Sequence, residues 1–128
     1  LNLGCSTVVS TNPFFCYQDI TAYSDSRVKD NVEIIEDAVE KVKAIRGVTF
    51  TRNDIPDVNK RHAGVIAQEV LAILPEVVTE DDRGHYSVAY GNLSALLIEA
   101  VKEQQVQIES QKSEIDVLKD LVQQLINR

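Results

Sequence analysis

A serine and a lysine five positions apart, Ser24 and Lys29, could carry out covalent chemistry in this chain. A serine hydroxyl is a weak nucleophile that needs a neighbouring base, and a lysine can be that base when burial keeps its amine neutral. On a turn that enters a helix, this separation lets the two side chains meet. A structural interpretation stays open, in which Ser24 and Asp25 cap a helix and Arg27 and Lys29 are its surface charges.

Other kinds of chemistry have little support in the sequence. It has no glycine-rich phosphate loop and no His, Cys and carboxylate cluster at metal-ligand spacing, so we expect no cofactor and no metal. His62 and His85 are isolated. Cys5 and Cys16 have no histidine nearby, and we interpret them as buried thiols in a reducing cytoplasm.

Composition limits the possible partners. The chain has 128 residues, with 20 acidic and 13 basic side chains and a net charge of −7, which argues against binding to a phosphate backbone. Its longest aliphatic run, residues 95–98, is far shorter than the roughly 20 apolar residues of a membrane span. We therefore expect one soluble domain without a nucleic-acid or membrane partner.

Charge is distributed unevenly along the chain. Residues 1–23 contain a single charge, Asp19, whereas charges recur every few positions from Asp25 onward. This shift predicts a boundary near Ser24, with residues 1–23 as the end of a larger β-rich segment and 24–128 as the domain itself. Residues 6–10 and 19–23 are predicted strands, and a disordered leader is the alternative.

Residues 24–92 are predicted to form an α+β head. Apolar residues at spacings of three and four, from Val32 to Ile45, predict an amphipathic helix that ends at Gly47. The further predicted elements are a strand at 48–51, a polar turn at 53–57, a helix at 65–74 stopped by Pro75, and a hairpin of 77–79 with 86–90.

Residues 93–128 contain no Pro or Gly and keep a seven-residue repeat. The a positions are Val101, Ile108, Ile115 and Val122, and the d positions are Leu97, Gln104, Gln111, Leu118 and Leu125. This repeat predicts a coiled coil, with a helix folded back on its own domain as the alternative. β-Branched residues at a with leucine at d nominally favour a two-stranded coiled coil. The two glutamines at d suggest a polar feature that sets the register of the helices.

Several motifs resemble one known family. The string from Ser24 to Val32 is similar to the opening Ser-Asp-x-Arg-x-Lys-x-x-(Ile/Val) motif of the C-terminal intramolecular chaperone domain of phage endosialidase-type tail spikes, tail fibres and neck appendages. The segments 47–50, 64–70, 74–78 and 90–93 match in the same order. The myelin regulatory factor carries the same module.

The resemblance implies a homotrimer with a small helix and hairpin head and a trimeric coiled coil. Such domains align an upstream β-helical fibre of the same polypeptide and then cut themselves off. Carried over by residue, the cut falls at Tyr23–Ser24, Ser24 is the nucleophile and Lys29 the general base. The resemblance makes Asp25 and Arg27 supporting groups and Glu69 a weaker candidate contact.

The resemblance also implies assembly in the host cytoplasm and a released chaperone that is absent from the mature virion. Two other functions remain open. One is a non-catalytic C-terminal trimerisation domain, which would be indifferent to Ser24. The other is a coiled-coil adaptor, which explains neither the charge-poor segment 1–23 nor the ordered motifs.

Overall fold

The computed structural model describes residue 4 and residues 7–128, and it divides the chain into two compact units, Leu1–Val32 and Glu33–Arg128. The described part of the first unit contains one regular element, a 3₁₀ turn at Ser26–Val28. The second unit contains the helices and strands: α1 (Ala38–Lys43), β1 (Val48–Thr51), β2 (Arg61–Gly64), α2 (Ala67–Ile73), β3 (Val78–Glu80), β4 (Tyr86–Val88) and α3 (Leu93–Ile126).

The strands predicted in the charge-poor segment do not form in this single chain. Residues 7–10 and 19–23 are neither helix nor strand, and Ser6 lies outside the described residues. A strand needs a neighbour to pair its backbone groups, and neither of the two described sheets includes any of residues 7–23. Cys16 is exposed, so the prediction of a buried thiol is wrong there, and Cys5 lies outside the described residues.

Helix α1 is shorter than the apolar spacing predicts. The prediction that helix begins at Val32 is wrong, because residues 33–36 are not helical and Asp37 adopts a left-handed conformation with φ of 51°. Ile34 is exposed while Ile35 packs against the core. A left-handed residue interrupts a right-handed helix, so α1 begins only at Ala38.

Two antiparallel hairpins complete the head. β1 pairs with β2, with Val48 opposite Gly64, and β3 pairs with β4, with Val78 opposite Val88. The second hairpin turns at Gly84, whose φ of 79° favours glycine. The predicted α2 and the predicted β3–β4 hairpin are confirmed within a few residues, whereas β2 was not predicted.

The core lies where α1, α2 and the turn after α2 meet the first part of α3. Its buried side chains are Ala38, Val70, Leu74, Val77, Leu96 and Ala100. The last of these on α3 is Ala100, so the apolar residues of α3 beyond it have no cover within the described part of the chain. The α+β class and the long C-terminal helix are confirmed.

Tyr90 ties the first hairpin to the start of α3. Its hydroxyl oxygen accepts a hydrogen bond from the Val65 backbone N–H at 3.2 Å. A Cβ at Gly64 would collide with that hydroxyl, so glycine allows the hairpin to approach the tyrosine. The contact fixes where α3 leaves the head.

Glu103 on α3 caps the beginning of α1. Its two carboxylate oxygens accept hydrogen bonds from the backbone N–H groups of Ala38 at 2.8 Å and Val39 at 2.9 Å. These N–H groups have no partner inside a helix, and the bonds to Val39 and Ala38 hold the pKa of the Glu103 carboxyl below its usual value. The cap also fixes the first turn of α1 against α3.

Replacing Glu103 with glutamine is therefore expected to lower the melting temperature by several degrees at pH 7. A carboxyl whose pKa is lower in the folded than in the unfolded protein stabilises the fold at every pH above its unfolded-state pKa. This stabilisation is lost as the pH falls below about 4. Thermal unfolding of both proteins from pH 7 to pH 3 should show the gap closing. Glu109→Gln, at an exposed position of the same helix, is the control. An equal loss of melting temperature in both variants would contradict the cap.

Helix α3 carries most of the exposed apolar surface of the second unit. Its 34 residues extend about 51 Å, far beyond the core. Val101, Ile108, Ile115, Val122 and Leu125 are all exposed by half or more. Within the residues that the structure describes, no helix combines the length and apolar character needed to cross a membrane.

Candidate functional site

The side chain of Lys29 lies directly on Ser24. The Lys29 Nζ donates a hydrogen bond to the Ser24 Oγ at 2.6 Å and another to the Ser24 carbonyl oxygen at 2.6 Å. The first distance is short enough for a proton to pass between the two side chains. The pair predicted from spacing is thus in contact.

A short turn produces this contact. The backbone N–H of Val28 binds the Asp25 carbonyl oxygen, and the N–H of Lys29 binds the Ser26 carbonyl oxygen, both at 3.2 Å. These two bonds form the 3₁₀ turn Ser26–Val28 and reverse the chain between Ser24 and Lys29. The long side chain of Lys29 then reaches back to Ser24.

Asp25 and Arg27 hold the turn from its outer side. One Asp25 carboxylate oxygen accepts hydrogen bonds from the Arg27 backbone N–H at 2.8 Å and Nε at 2.9 Å, and the other accepts one from Nη2 at 2.7 Å. The Arg27 side chain, and then its backbone N–H, hold the pKa of the Asp25 carboxyl below its usual value. Asp25 is the N-cap of the turn, as the structural interpretation of this segment predicts, but it caps a 3₁₀ turn rather than a long helix.

This arrangement places a hydroxyl group and an amine next to the Tyr23–Ser24 peptide bond. The Tyr23 carbonyl immediately precedes Ser24 in the chain, so the Ser24 Oγ can approach its carbon through a five-membered ring. Tyr23, Ser24 and Lys29 are all exposed in the single chain. Water therefore reaches the pair freely in this state.

Glu69 lies in the other unit, on α2. Its carboxylate accepts hydrogen bonds from the Arg46 Nε at 2.8 Å, from Nη2 and from the Arg46 backbone N–H at 3.2 Å. The Arg46 side chain holds the pKa of Glu69 below its usual value. Glu69 therefore links α2 to the segment between α1 and β1, and a contact from Glu69 to Ser24 stays a prediction.

Sequence reasoning missed one polar contact in each of the two units. The bond from Lys29 to the Ser24 carbonyl follows from the path of the turn, which spacing alone does not specify. Arg46 lies 23 positions from Glu69, so no local pattern points to their ion pair.

Comparison with known proteins assigns a family to this site. Residues 24–79 match the profile of a peptidase family described as "Chaperone of endosialidase". The match begins at Ser24, the residue that Lys29 contacts. Residues 24–79 of this chain are therefore similar to the chaperone-of-endosialidase family. The resemblance drawn from the sequence motifs is confirmed.

Relatives of the chaperone-of-endosialidase domain are phage proteins. The chain is 31% identical over 112 residues to the long tail fiber protein Gp37 of Enterobacteria phage K3. The aligned segment covers 79% of this chain and 9% of that protein. The chain is 30% identical over 113 residues to the Gp37 of Salmonella phage S16, covering 82% of this chain and 15% of that protein. The chain thus spans only a small part of the length of these fibre proteins.

Proposed function

We propose that this chain is an intramolecular chaperone that trimerises, aligns an upstream β-helical phage fibre of the same polypeptide, and then releases itself by cutting the Tyr23–Ser24 bond. The observation that carries the proposal is the 2.6 Å contact between the Lys29 Nζ and the Ser24 Oγ at the start of the family match. The chaperone description of the family and the tail fibre relatives support the fibre as client.

The proposed cleavage proceeds in two steps. Lys29, as a neutral amine, takes the proton of the Ser24 hydroxyl, and the Oγ forms a bond to the Tyr23 carbonyl carbon. The bond from that carbon to the Ser24 nitrogen breaks, and the Lys29 ammonium returns the proton to the departing amine. Water then hydrolyses the resulting ester, which leaves a Tyr23 carboxylate and a free Ser24 hydroxyl.

Most of the rate would come from position rather than from a large active site. The nucleophile and the carbonyl it attacks are neighbours in the chain, which removes the entropic cost of bringing them together. Lys29 is exposed to water in the single chain. Burial of the turn in an assembled trimer would favour the neutral amine, so cleavage would follow assembly.

The long helix supports the association of three copies. The a and d side chains of α3 beyond Ala100 are exposed, and a helix of this length needs partners to bury them. The segment before Ser24 supports the presence of a client. Its exposed apolar side chains, Val8, Val9, Phe14, Phe15, Tyr17 and Ile20, suit a strand-rich stalk that pairs with other copies.

Release would complete assembly in the host cytoplasm. Once the chaperone leaves, the fibre has lost the part that aligned it, so its folded state is held by a kinetic barrier. The released domain would be absent from the mature virion. Residues 24–128 carry −6 of the net charge of −7, since Asp19 is the single charge before Ser24, and this charge keeps the departing domain soluble.

Mass spectrometry of the purified chain tests the proposal. We expect fragments of residues 1–23 and 24–128 to accumulate, with Ser24 as the new N-terminal residue. Cleavage at another bond would contradict the assignment of Ser24. An uncut chain that scatters light as a trimer would favour the alternative, a non-catalytic C-terminal trimerisation domain, which the exposed face of α3 supports independently of Ser24.

Asp25 is expected to act as a positioning residue in this reaction. Asp25→Ala removes the three bonds to Arg27 and loosens the turn that brings Lys29 to Ser24, which should slow cleavage about 10-fold to 100-fold. Asp25→Asn keeps an acceptor for the Arg27 N–H and should lose less. Cleavage rates measured by gel densitometry would show the order, and equal rates for all three proteins would contradict it.

A further inference from the structure

Two glutamines interrupt the apolar face of α3. Gln104 and Gln111 occupy consecutive d positions, between the apolar a residues Val101, Ile108 and Ile115. In the single chain both glutamines are exposed, and no other part of the described chain covers them. A polar side chain in a coiled-coil seam lowers stability, but it specifies which layers can face each other.

Charges beside the seam favour one orientation. Glu114 lies at position g, and Lys119 lies at position e of the next heptad, which are the positions that meet between parallel neighbours. Within the described residues, neither side chain has an ion pair in its own chain. An antiparallel arrangement would place the e positions of neighbouring helices opposite each other. Lys112 and Lys119 both lie at e, so they would face lysines of the neighbouring copy.

The C-terminal end of α3 favours more than two helices. Leu121 at g and Ile126 at e are apolar and exposed, and they widen the a and d face formed by Leu118, Val122 and Leu125. A face of three to four apolar positions per heptad is wider than a two-stranded seam can bury. This end therefore fits a bundle of three copies, in agreement with the proposed function.

We infer that Gln104 and Gln111 set the register of a parallel bundle, in which each glutamine meets the same glutamine of the other two copies and Glu114 pairs with Lys119 of its neighbour. The inference rests on the trimer of the proposed function and adds the partner and its alignment. In register, the amide groups of one layer donate and accept hydrogen bonds among themselves. A slip of one heptad sets a glutamine of one copy against Leu97 or Leu118 of the next and leaves its amide unpaired.

Disulfide trapping tests the register. Ile108→Cys and Ile115→Cys are made separately in the full chain with Cys5→Ser and Cys16→Ser, and the two proteins are unfolded, mixed, refolded and oxidised. Trypsin cuts at Lys112, so peptide mass spectrometry separates links between like positions from links between 108 and 115. We expect links between like positions to exceed mixed links by about tenfold, because a slip leaves amides unpaired.

The same trapping with Gln104→Leu and Gln111→Leu should raise the mixed links to a similar abundance. Gln123→Leu with Gln124→Leu is the matched control, since these glutamines lie at b and c, away from the seam, and it should preserve the original pattern. The inference would be overturned if the protein with native Gln104 and Gln111 formed mixed links as abundantly as the leucine variant does. Unchanged alignment after removal of both glutamines would overturn it as well.

Charge exchange tests orientation independently. Glu114→Lys should lower the melting temperature of the bundle, and adding Lys119→Glu should restore it, since the pair is re-formed with its signs exchanged. No restoration would overturn the parallel pairing. Light scattering separates the two proposals: a monomer would overturn the trimer of the proposed function together with this inference, whereas a trimer with mixed links would overturn the inference alone.

Discussion

Replacing Ser24 with alanine is expected to leave the Tyr23–Ser24 bond intact. The variant lacks the oxygen that would attack the Tyr23 carbonyl, so cleavage should fall by at least about 1,000-fold. Lys29→Ala removes the base that lies 2.6 Å from that oxygen and should have an effect of similar size. The measurement is the fraction of cut chain over time, followed by mass spectrometry under identical assembly conditions.

Two controls separate chemistry from folding. Ser26→Ala removes a hydroxyl from the same turn, at a residue whose side chain has no hydrogen bond to Lys29, and it should be cut at close to the native rate. Lys29→Arg keeps a positive charge but supplies a group that stays protonated, so it should remain uncut. Native cleavage in Lys29→Arg would show that the lysine acts through its charge and not as a base.

Placing aspartate on the proposed seam of α3 is expected to abolish association. Val101→Asp together with Val122→Asp puts charges at two a positions, where an assembled bundle would desolvate them. The protein should become a monomer at micromolar concentration, measured by light scattering. If assembly precedes cleavage, this variant should also remain uncut.

Val106 and Val117 provide a matched control on the same helix. Val101 and Val122 are 63% and 53% exposed, and Val106 and Val117 are 66% and 56% exposed. The two pairs therefore have nearly the same exposure in the single chain. The control pair lies at f and c, away from the seam. Val106→Asp with Val117→Asp should remain assembled, and equal dissociation of the two double variants would contradict a seam at a and d.

The sequence predicted those features that depend on local spacing. The contact between Ser24 and Lys29 follows from a turn over six consecutive residues, and α3 follows from a repeat without Pro or Gly. α2 and the β3–β4 hairpin likewise have their stop and turn signals, Pro75 and Gly84, within or beside them. In each case the residues that decide the structure are neighbours in the chain.

Features that depend on distant residues could not be predicted in the same way. The cap at the start of α1 comes from Glu103, which is 65 positions beyond Ala38 and accepts a hydrogen bond from its backbone N–H. β2 contains His62 and Gly64 and lacks a strong strand pattern, but pairing with β1 makes it a strand. The charge-poor segment shows the converse, because apolar and β-branched residues alone do not produce a strand where no neighbour is present.

The turn around Ser24 has a consequence for the timing of cleavage. Every hydrogen bond that shapes it joins residues of the same short stretch, so closing it takes far less than a millisecond. Synthesis and winding of a fibre are much slower, and the pair would therefore be aligned long before its client is complete. If cleavage waits for assembly as proposed, the delay that protects an unfinished fibre would then come from the removal of water from Lys29, and the slowest-folding copy would set its length.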